Sequence, residues 1–243
     1  ISASGELTRL TASTASEWDP AFAENGRKLL FSSDRTGHFE CWISNADGSG
    51  ARPLTNDGMD AQNPSATPDG QWVVYTSGNP EKRGLWKIRL NGTDAARLVA
   101  ADVRTPAISP DGEFAVYRHA PQSNVVRVRV VRLRDGAPVP FEIDVVATRP
   151  TYVGLGRARW MPDGRRIAFL AQNASGATGI YVQDFVPGKD TSASRRPLAG
   201  FDHENATESF DVSPDGTRVV ISAWVQLFSL MQGQPLRGLF VKR

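Results

Sequence analysis

Thr67-Pro68-Asp69-Gly70, Ser109-Pro110-Asp111-Gly112, Met161-Pro162-Asp163-Gly164 and Ser213-Pro214-Asp215-Gly216 are four copies of one tetrapeptide, with a weaker fifth at Glu24-Asn25-Gly26. Their closing glycines lie 44, 42, 52 and 52 residues apart. A period of roughly 40–50 residues is that of four-stranded propeller blades. The tetrapeptide has the chemistry of a tight turn. Proline presets φ at the first corner, aspartate bonds back to the backbone, and glycine accepts positive φ. Each copy therefore predicts a hairpin between two strands.

Working outward, each turn is followed by a short and almost wholly apolar run: Leu29–Phe31, Trp72–Tyr75, Phe114–Tyr117, Ile167–Leu170 and Val219–Ile221. A strand with one wet face would alternate, so these runs predict strands covered on both faces, as neighbouring blades would cover them. A third strand follows around Trp42, Trp86 and Val128, each 16 residues after its turn glycine, and around Tyr181, 17 after. Phe240 lies 24 after the last one. Fourth strands are expected at Arg52–Thr55, Ala96–Val99, Val139–Ile143 and Arg196–Ala199. The segment Leu7–Thr11 (LTRLT) matches ARPLT at 51–55 and so reads as an outer strand without its own blade. It would pair with the last unit, which ends at Gly238–Lys242 on its third strand. The expectation is an all-β propeller of four-stranded antiparallel blades, five in number, closed by pairing of residues 1–11 with 201–243. The repeats run approximately 12–55, 56–100, 101–146, 147–200 and 201–243 within a single domain, 1–243.

Composition agrees and narrows the function classes. The 243 residues are 40% hydrophobic and 22% charged, which excludes disorder. Gly 22 and Pro 16 imply many turns. Charges nearly balance, 28 basic against 26 acidic, so nothing in the net charge points to nucleic acid. A single cysteine, Cys41, excludes an internal disulfide framework and reads as an inert buried thiol. No stretch approaches the ~18 apolar residues of a membrane span. The opening ISASGELTRL has no basic region before an apolar run, which predicts no signal peptide there.

The repeating unit, with Asp19-Pro20, Ser33-Asp34-Arg35-Thr36-Gly37, Asn45-Ala46-Asp47-Gly48 and the four Pro-Asp-Gly turns, resembles the WD-repeat-like units of TolB-type β-propellers. The resemblance covers essentially the whole chain. Such units occur in periplasmic TolB, in prolyl oligopeptidases, in oligogalacturonate lyases and in propellers attached to bacterial serine/threonine kinases. The closing stretch TESFDVSPDGTRVVISAWVQLFSLM is similar to the last blade of the kinase-attached ones. The resemblance implies a bacterial, extracytoplasmic or periplasmic interaction domain, and it leaves the activity open, since fold does not fix function.

A search for chemistry returns little. There is no G-x-S-x-G nucleophile elbow. The three histidines, His38, His119 and His203, fall in different units and lack metal-ligand spacing, so no metal and no cofactor is expected. Asn45–Gly50 begins like a calcium loop, but its twelfth position is Asn56 and the segment reads as a turn. Gly154-Leu155-Gly156 has no helix after it and is not a phosphate cradle. Arg127, Arg129, Arg132 and Arg134 are expected on a solvated outer strand whose charges discourage edge pairing. The tryptophans read as core, except Trp18, placed just before a first strand.

Propellers bind where loops converge on the mouth of the central channel. The expected mouth residues are Glu17, Trp18, Asp60, Gln62, Asn63, Arg104, Thr105, Tyr152, Arg157, Arg159, His203, Glu204 and Glu208. Both signs of charge and two aromatics suit a protein or peptide, with a small ligand as a further option, better than a polyanion. The expectation is a non-catalytic binding or sensor domain with no nucleic-acid partner and no membrane insertion. The alternative is a carbohydrate-active lyase or glycosidase using Glu17, Asp60, Glu204 and Glu208, which would need two carboxylates about 5–10 Å apart.

Overall fold

A computed structural model describes residues 9–11, 13–119, 124–147, 154–202 and 205–225. Four sheets of four antiparallel strands follow one another along the chain, each a simple meander. The first holds β1 (Glu17–Ala23), β2 (Lys28–Ser33), β3 (Glu40–Asn45) and β4 (Arg52–Pro53). The second holds β5 (Ala61–Ala66), β6 (Trp72–Ser77), β7 (Gly84–Arg89) and β8 (Ala96–Val99). The third holds β9 (Val103–Ile108), β10 (Phe114–His119), β11 (Val125–Arg132) and β12 (Pro138–Val146). The fourth holds β13 (Ala158–Trp160), β14 (Arg166–Gln172), β15 (Thr178–Asp184) and β16 (Arg196–Asp202). A fifth, two-stranded sheet pairs β17 (Asn205–Val212) with β18 (Val219–Val225).

The architecture is thus that of a propeller with four complete blades among the described residues, where five are expected from the repeat. The region around Phe240 and the Gly238–Lys242 strand lie outside the described residues. Of the expected outer strand Leu7–Thr11, residues 9–11 are described and form no strand.

Each Pro-Asp-Gly copy joins the first two strands of its unit. The glycine N–H donates to the carbonyl three residues back: Gly70 to Thr67 and Gly112 to Ser109 at 2.8 Å, Gly164 to Met161 at 2.9 Å, Gly216 to Ser213 at 2.8 Å. All four glycines have positive φ, between 65° and 75°. Where the first residue is Thr or Ser, its hydroxyl also donates to the turn aspartate: Thr67 to Asp69, Ser109 to Asp111 and Ser213 to Asp215, all at 2.5 Å.

The second strands are the buried ones. β2 and β6 are enclosed over five consecutive residues, whereas β12, the outermost strand of its blade, alternates. The contrast follows from packing blade against blade, which covers both faces of an inner strand. Apolar seams fill each junction. Leu30, Ile43, Val73 and Ile88 join blades 1 and 2, and Val74, Leu85, Ala115 and Val131 join blades 2 and 3. Val116, Val128, Trp160, Ile167 and Phe169 join blades 3 and 4, and Leu170, Ile180 and Phe210 join blade 4 to the fifth sheet.

Three expectations change here. Trp18 lies within β1, not before it, and is exposed. Trp72 and Trp86 are only half-buried, with Arg89 over the Trp72 ring at 4.5 Å and Arg97 over Trp86 at 5.7 Å. The arginine-rich β11 is an interior strand paired on both sides, by β10 and β12. Its charges meet acids rather than guarding an edge: Arg127 lies 3.3 Å from both Glu142 and Asp144, and Arg132 lies 2.8 Å from Asp135.

Candidate functional site

The first strand of each blade is the innermost: β1 lies against β5, β5 against β9, and β9 against β13. These strands run toward the Pro-Asp-Gly turns, so their starts, where the mouth is expected, lie at the opposite end. Four of the five break register, at Trp18/Ala21 in β1, at Gln62/Ser65 in β5, opposite Val116/Arg118 in β9, and at Thr207/Ser209 in β17, whereas β13 pairs with β14 without a break. The residue seven before the turn glycine sits at or beside the break in those four strands, as Asp19, Asn63, Thr105 and Ser209, while its counterpart in blade 4, Arg157, directly precedes the unbroken β13. A bulge re-aims the side chain it carries.

In blades 1 to 3 the bulge residue has left-handed backbone, with φ of 52° at Asp19, 57° at Asn63 and 49° at Thr105. Each precedes a proline (Pro20, Pro64, Pro106), which steers its neighbour away from the right-handed helical region. Asp and Asn tolerate positive φ, while β-branched Thr105 is strained there. The three residues bond to one another across blades. Asn63 Nδ2 donates to Asp19 Oδ2 at 2.6 Å, and the Thr105 amide donates to Asn63 Oδ1 at 3.3 Å. Ser32 Oγ supports the set, donating to Asp19 Oδ2 at 3.4 Å and accepting from the Asn63 amide at 3.2 Å.

Around this chain lie the mouth residues. Glu17 is engaged by the Arg35 guanidinium and the Thr11 hydroxyl. Arg35 in turn stacks over the Trp42 ring at 4.5 Å. Trp18 is 60% exposed. Asp60 accepts from Gln62 Nε2 at 2.5 Å and stands 3.7 Å from Arg104, which also lies 3.4 Å from Asp102. Arg104 on β9 and Arg118 on β10 are direct cross-strand partners. Arg159 pairs with Asp211 of the fifth sheet at 3.6 Å. Burial lowers the Arg159 pKa against the pull of Asp211. Burial, then the like charges of Arg157 and Arg104, lowers the Arg118 pKa. Gly154 packs against the Glu208 carbonyl, joining the entrance of blade 4 to β17.

The structure therefore brings Asp60, Gln62 and Arg104 into one contact set, Asn63 and Thr105 into the inner chain, and Arg157 and Arg159 onto the neighbouring wall. Glu17 and Trp18 stand at the start of β1, Glu17 tied into its own blade. Tyr152, His203 and Glu204 lie outside the described residues. Four participants escape the sequence analysis as site residues: Asp19, Asp102, Arg118 and Asp211. The X-Pro step seven residues ahead of the turn glycine in the first three units was the available signal for Asp19.

A second polar cluster lies between blades 1 and 2. Glu40, 3% exposed, accepts from the Asp57 amide at 2.9 Å, the Gly58 amide at 2.8 Å and the Thr55 hydroxyl. Asp57 beside it accepts from Ser77 Oγ at 2.8 Å. These carboxylates clamp the link from β4 to β5, and their oxygens are occupied by the fold itself. Cys41, adjacent to Glu40, is fully buried, and burial followed by the Glu40 charge pushes its thiol pKa well up. Among the described residues no group of three or more His, Cys, Asp or Glu is placed to hold a metal, and no helix is long and apolar enough to cross a membrane.

Residues 2–136, more than half the chain, match the TolB beta propeller domain family. The chain belongs to that family. TolB from Acinetobacter baumannii shares the fold at a TM-score of 0.55 with 17% identity, over 74% of this chain and 44% of that one. An oligogalacturonate lyase from Vibrio parahaemolyticus does so at 0.58 with 17% identity, over 89% and 62%. An uncharacterized protein of Agrobacterium fabrum is 34% identical over 74 residues, 30% of this chain and 25% of its own. The chain thus spans less than two thirds of the length of each of these proteins. One structural relative is named as an enzyme, so membership of a TolB-type fold does not decide between binding and catalysis.

Proposed function

We propose that this TolB-type propeller is a non-catalytic binding module of a bacterial TolB-like or receptor-kinase-type protein, and that it receives a protein or peptide segment at the mouth of its channel. The observation that carries this reading is the set of inner-strand bulges. They hold Asp60, Gln62 and Arg104, of both charges, on a scaffold locked by inter-blade hydrogen bonds, beside Arg159 on β13 and an exposed Trp18. Exposed aromatics with fixed polar neighbours are the usual anchors of protein recognition. The carbohydrate-active alternative loses support at Glu17, held by Arg35, and at Asp60, held between Gln62 and Arg104.

The test is selection of peptides from a random display library on the immobilised domain, followed by affinity measurement. Trp18→Ala with Gln62→Ala should weaken the selected peptides tenfold or more, and Arg134→Gln on the outer rim should leave them unchanged. Peptides insensitive to the mouth pair would overturn the reading.

We also propose that the fifth repeat completes a fifth blade closed by the chain ends. Val220 on β18, 73% exposed, and Phe22 on β1, 69% exposed, are the apolar surfaces such a closure would cover. Deleting residues 1–11 should then lower the melting temperature by several degrees, and an unmoved melting curve would refute closure.

A further inference from the structure

At the turn end of the blades, away from the mouth, one seam differs from the rest. At three seams the proline of one turn packs against the glycine of the next: a Cβ on Gly112 would stand 3.4 Å from Pro68 Cδ, one on Gly164 3.9 Å from Pro110 Cδ, and one on Gly216 3.6 Å from Pro162. At the seam of blades 1 and 2 the neighbour of Gly70 is Glu24, whose Cγ would lie 3.2 Å from such a Cβ. Glu24 has left-handed backbone, with a φ of 49°, which a proline cannot adopt and which strains any other side-chain-bearing residue. The residue two after the turn glycine differs as well. In blades 2 and 3 it is an aromatic ring, Trp72 under Lys87 and Arg89 and Phe114 against Trp160 and Phe185, but in blade 1 it is Lys28.

A cleft of about 470 Å³ opens at this seam, lined by Lys28, Arg52, Glu24, Gln71, Ile43 and Leu90 among others. Its size is that of a small-molecule site. Ile43 and Leu90 belong to the apolar packing between the blades and give the cleft its floor. Register puts Lys28 and Arg52 on the face of blade 1 that carries Ile43: Ile43 pairs with Leu30 and with Arg52, and Lys28 is two residues from Leu30. Neither cation has an ion-pair partner among the described residues. Lys28 Nζ donates to Asn45 Oδ1 at 2.8 Å, and Arg52 donates to the carbonyls of Leu90 at 3.3 Å and Pro53 at 3.4 Å, so both meet neutral oxygens. Arg89 also lines the cleft, but its guanidinium pairs with Asp94 at 2.8 Å. The carboxylates of the surrounding turns are committed, Asp47 to Ser49, Asp69 to Thr67 and the Gln71 amide, and Asp94 to Arg89. Glu24 is the one acid that lines the cleft. Its ion-pair partner, Arg27 at 3.7 Å, is 74% exposed, and water screens such a contact.

Two cations without acids, one weakly held carboxylate and an apolar floor thus share one cleft. Glu24 would repel a multiply charged anion, and a simple acid would leave Glu24 without a cation. A zwitterion answers both signs, and a guanidinium presents a fork matched to its carboxylate. We propose that this cleft, independently of the mouth, binds a free α-amino acid with an apolar side chain. Arg52 and Lys28 take the carboxylate, Glu24 takes the ammonium, and the side chain lies against Ile43 and Leu90.

Isothermal titration of the whole chain tests this with L-leucine and L-phenylalanine, each beside its amide, which lacks the carboxylate, and its deaminated acid, which lacks the amine. At least one of the two amino acids should bind saturably in the millimolar range or tighter, and its amide and deaminated acid should bind tenfold or more weaker. Arg52→Gln and Glu24→Gln should each weaken the amino acid tenfold or more, and Arg134→Gln should leave it unchanged. Lys28→Trp, which places the ring of blade 2 at the same offset of blade 1, should fill the cleft and abolish binding without lowering the melting temperature. No saturable binding of either amino acid, a deaminated acid that binds as tightly as its parent, or affinity that survives Arg52→Gln and Glu24→Gln in folded variants overturns the proposal. The mouth and the cleft fail separately. Trp18→Ala with Gln62→Ala should leave amino-acid binding untouched, and a loss there would move the amino acid to the mouth and overturn the cleft.

Discussion

Blades 1 to 3 and blade 4 meet the channel at equivalent positions with opposite outcomes. In the first three, Asp19, Asn63 and Thr105 form a chain of hydrogen bonds from blade to blade. In blade 4, Arg157 leaves a buried donor unanswered among the described residues. The seams explain why blade 4 can do so. Between blades 3 and 4 the packing is aromatic: the Trp160 and Phe185 rings are 4.8 Å apart, those of Phe141 and Phe185 are 4.9 Å apart, and Trp160 Nε1 donates to the Ala107 carbonyl at 3.1 Å. Between blades 1 and 2, a buried Glu40 and Asp57 share the seam with smaller apolar groups. A junction held by large rings does not need a tie at this offset.

The most damaging way to probe this comparison is to weaken the aromatic seam. Phe169, fully buried in it, should cost about 3–5 kcal/mol when truncated to Ala, from lost transfer energy and the cavity left behind. Chemical denaturation measures it. A loss below about 1 kcal/mol would mean that packing does not hold blades 3 and 4 together.

Next in size is the tie itself. Asn63→Ala removes the donor to Asp19 and the acceptor for the Thr105 amide, and it places a Cβ-bearing residue without amide help at a φ of 57°. The expected cost is about 1–2 kcal/mol. Asn63→Asp, which tolerates the same backbone but faces Asp19 with a like charge, should be as damaging near pH 7 and milder in acid.

The repeat was legible because turn chemistry is local. Proline, aspartate and glycine state their geometry in four letters, and a run such as Trp72–Tyr75 states that both its faces are dry. The order of strands in every complete blade follows from those two signals. The site was less legible. Asp60, Gln62 and Arg104 could be placed at the mouth from loop position alone, but their contacts join β5 to β9, some forty residues apart in sequence. Asp19 and Arg118 were missed because a bulge turns a strand residue toward the channel, and strand periodicity has no mark for it. β11 was misjudged as an outer strand because its arginines resemble an exposed edge. The acids that answer them, Glu142 and Asp144, lie on a partner strand that periodicity alone does not rank as outermost.

A smaller effect separates the blades at their turns. Thr67 donates to Asp69, and this hydroxyl, with the Gln71 amide, lowers the Asp69 pKa. In blade 4 Met161 has no hydroxyl, and the Arg165 amide and the Arg166 side chain, at 2.7 Å, hold Asp163 low against its burial. Thr67→Val should therefore cost about 0.5–1 kcal/mol at neutral pH. Asp69 is depressed in the folded state, so its contribution is present above the ordinary carboxylate value and lost as pH falls through the depressed one. The gap in melting temperature between wild type and Thr67→Val should be constant from pH 7 to 5 and narrow below about 4. A gap that stays constant into acid would show that the hydroxyl acts through the Trp72 amide instead.

The smallest expected effect is the most decisive for the comparison. Arg157→Asn gives blade 4 the side chain of blade 2 at the same offset. If Arg157 holds no partner, its removal takes away a buried, unbonded donor and a charge that repels Arg118. The change in stability should then lie within about 0.5 kcal/mol of zero, or be favourable. Stability is thus nearly untouched at this position, whereas at Asn63 it should fall, since loss of the tie loosens the wall that presents Asp60 and Arg104. An Arg157→Asn variant that unfolds as readily as Asn63→Ala would show that blade 4 is tied at its bulge after all.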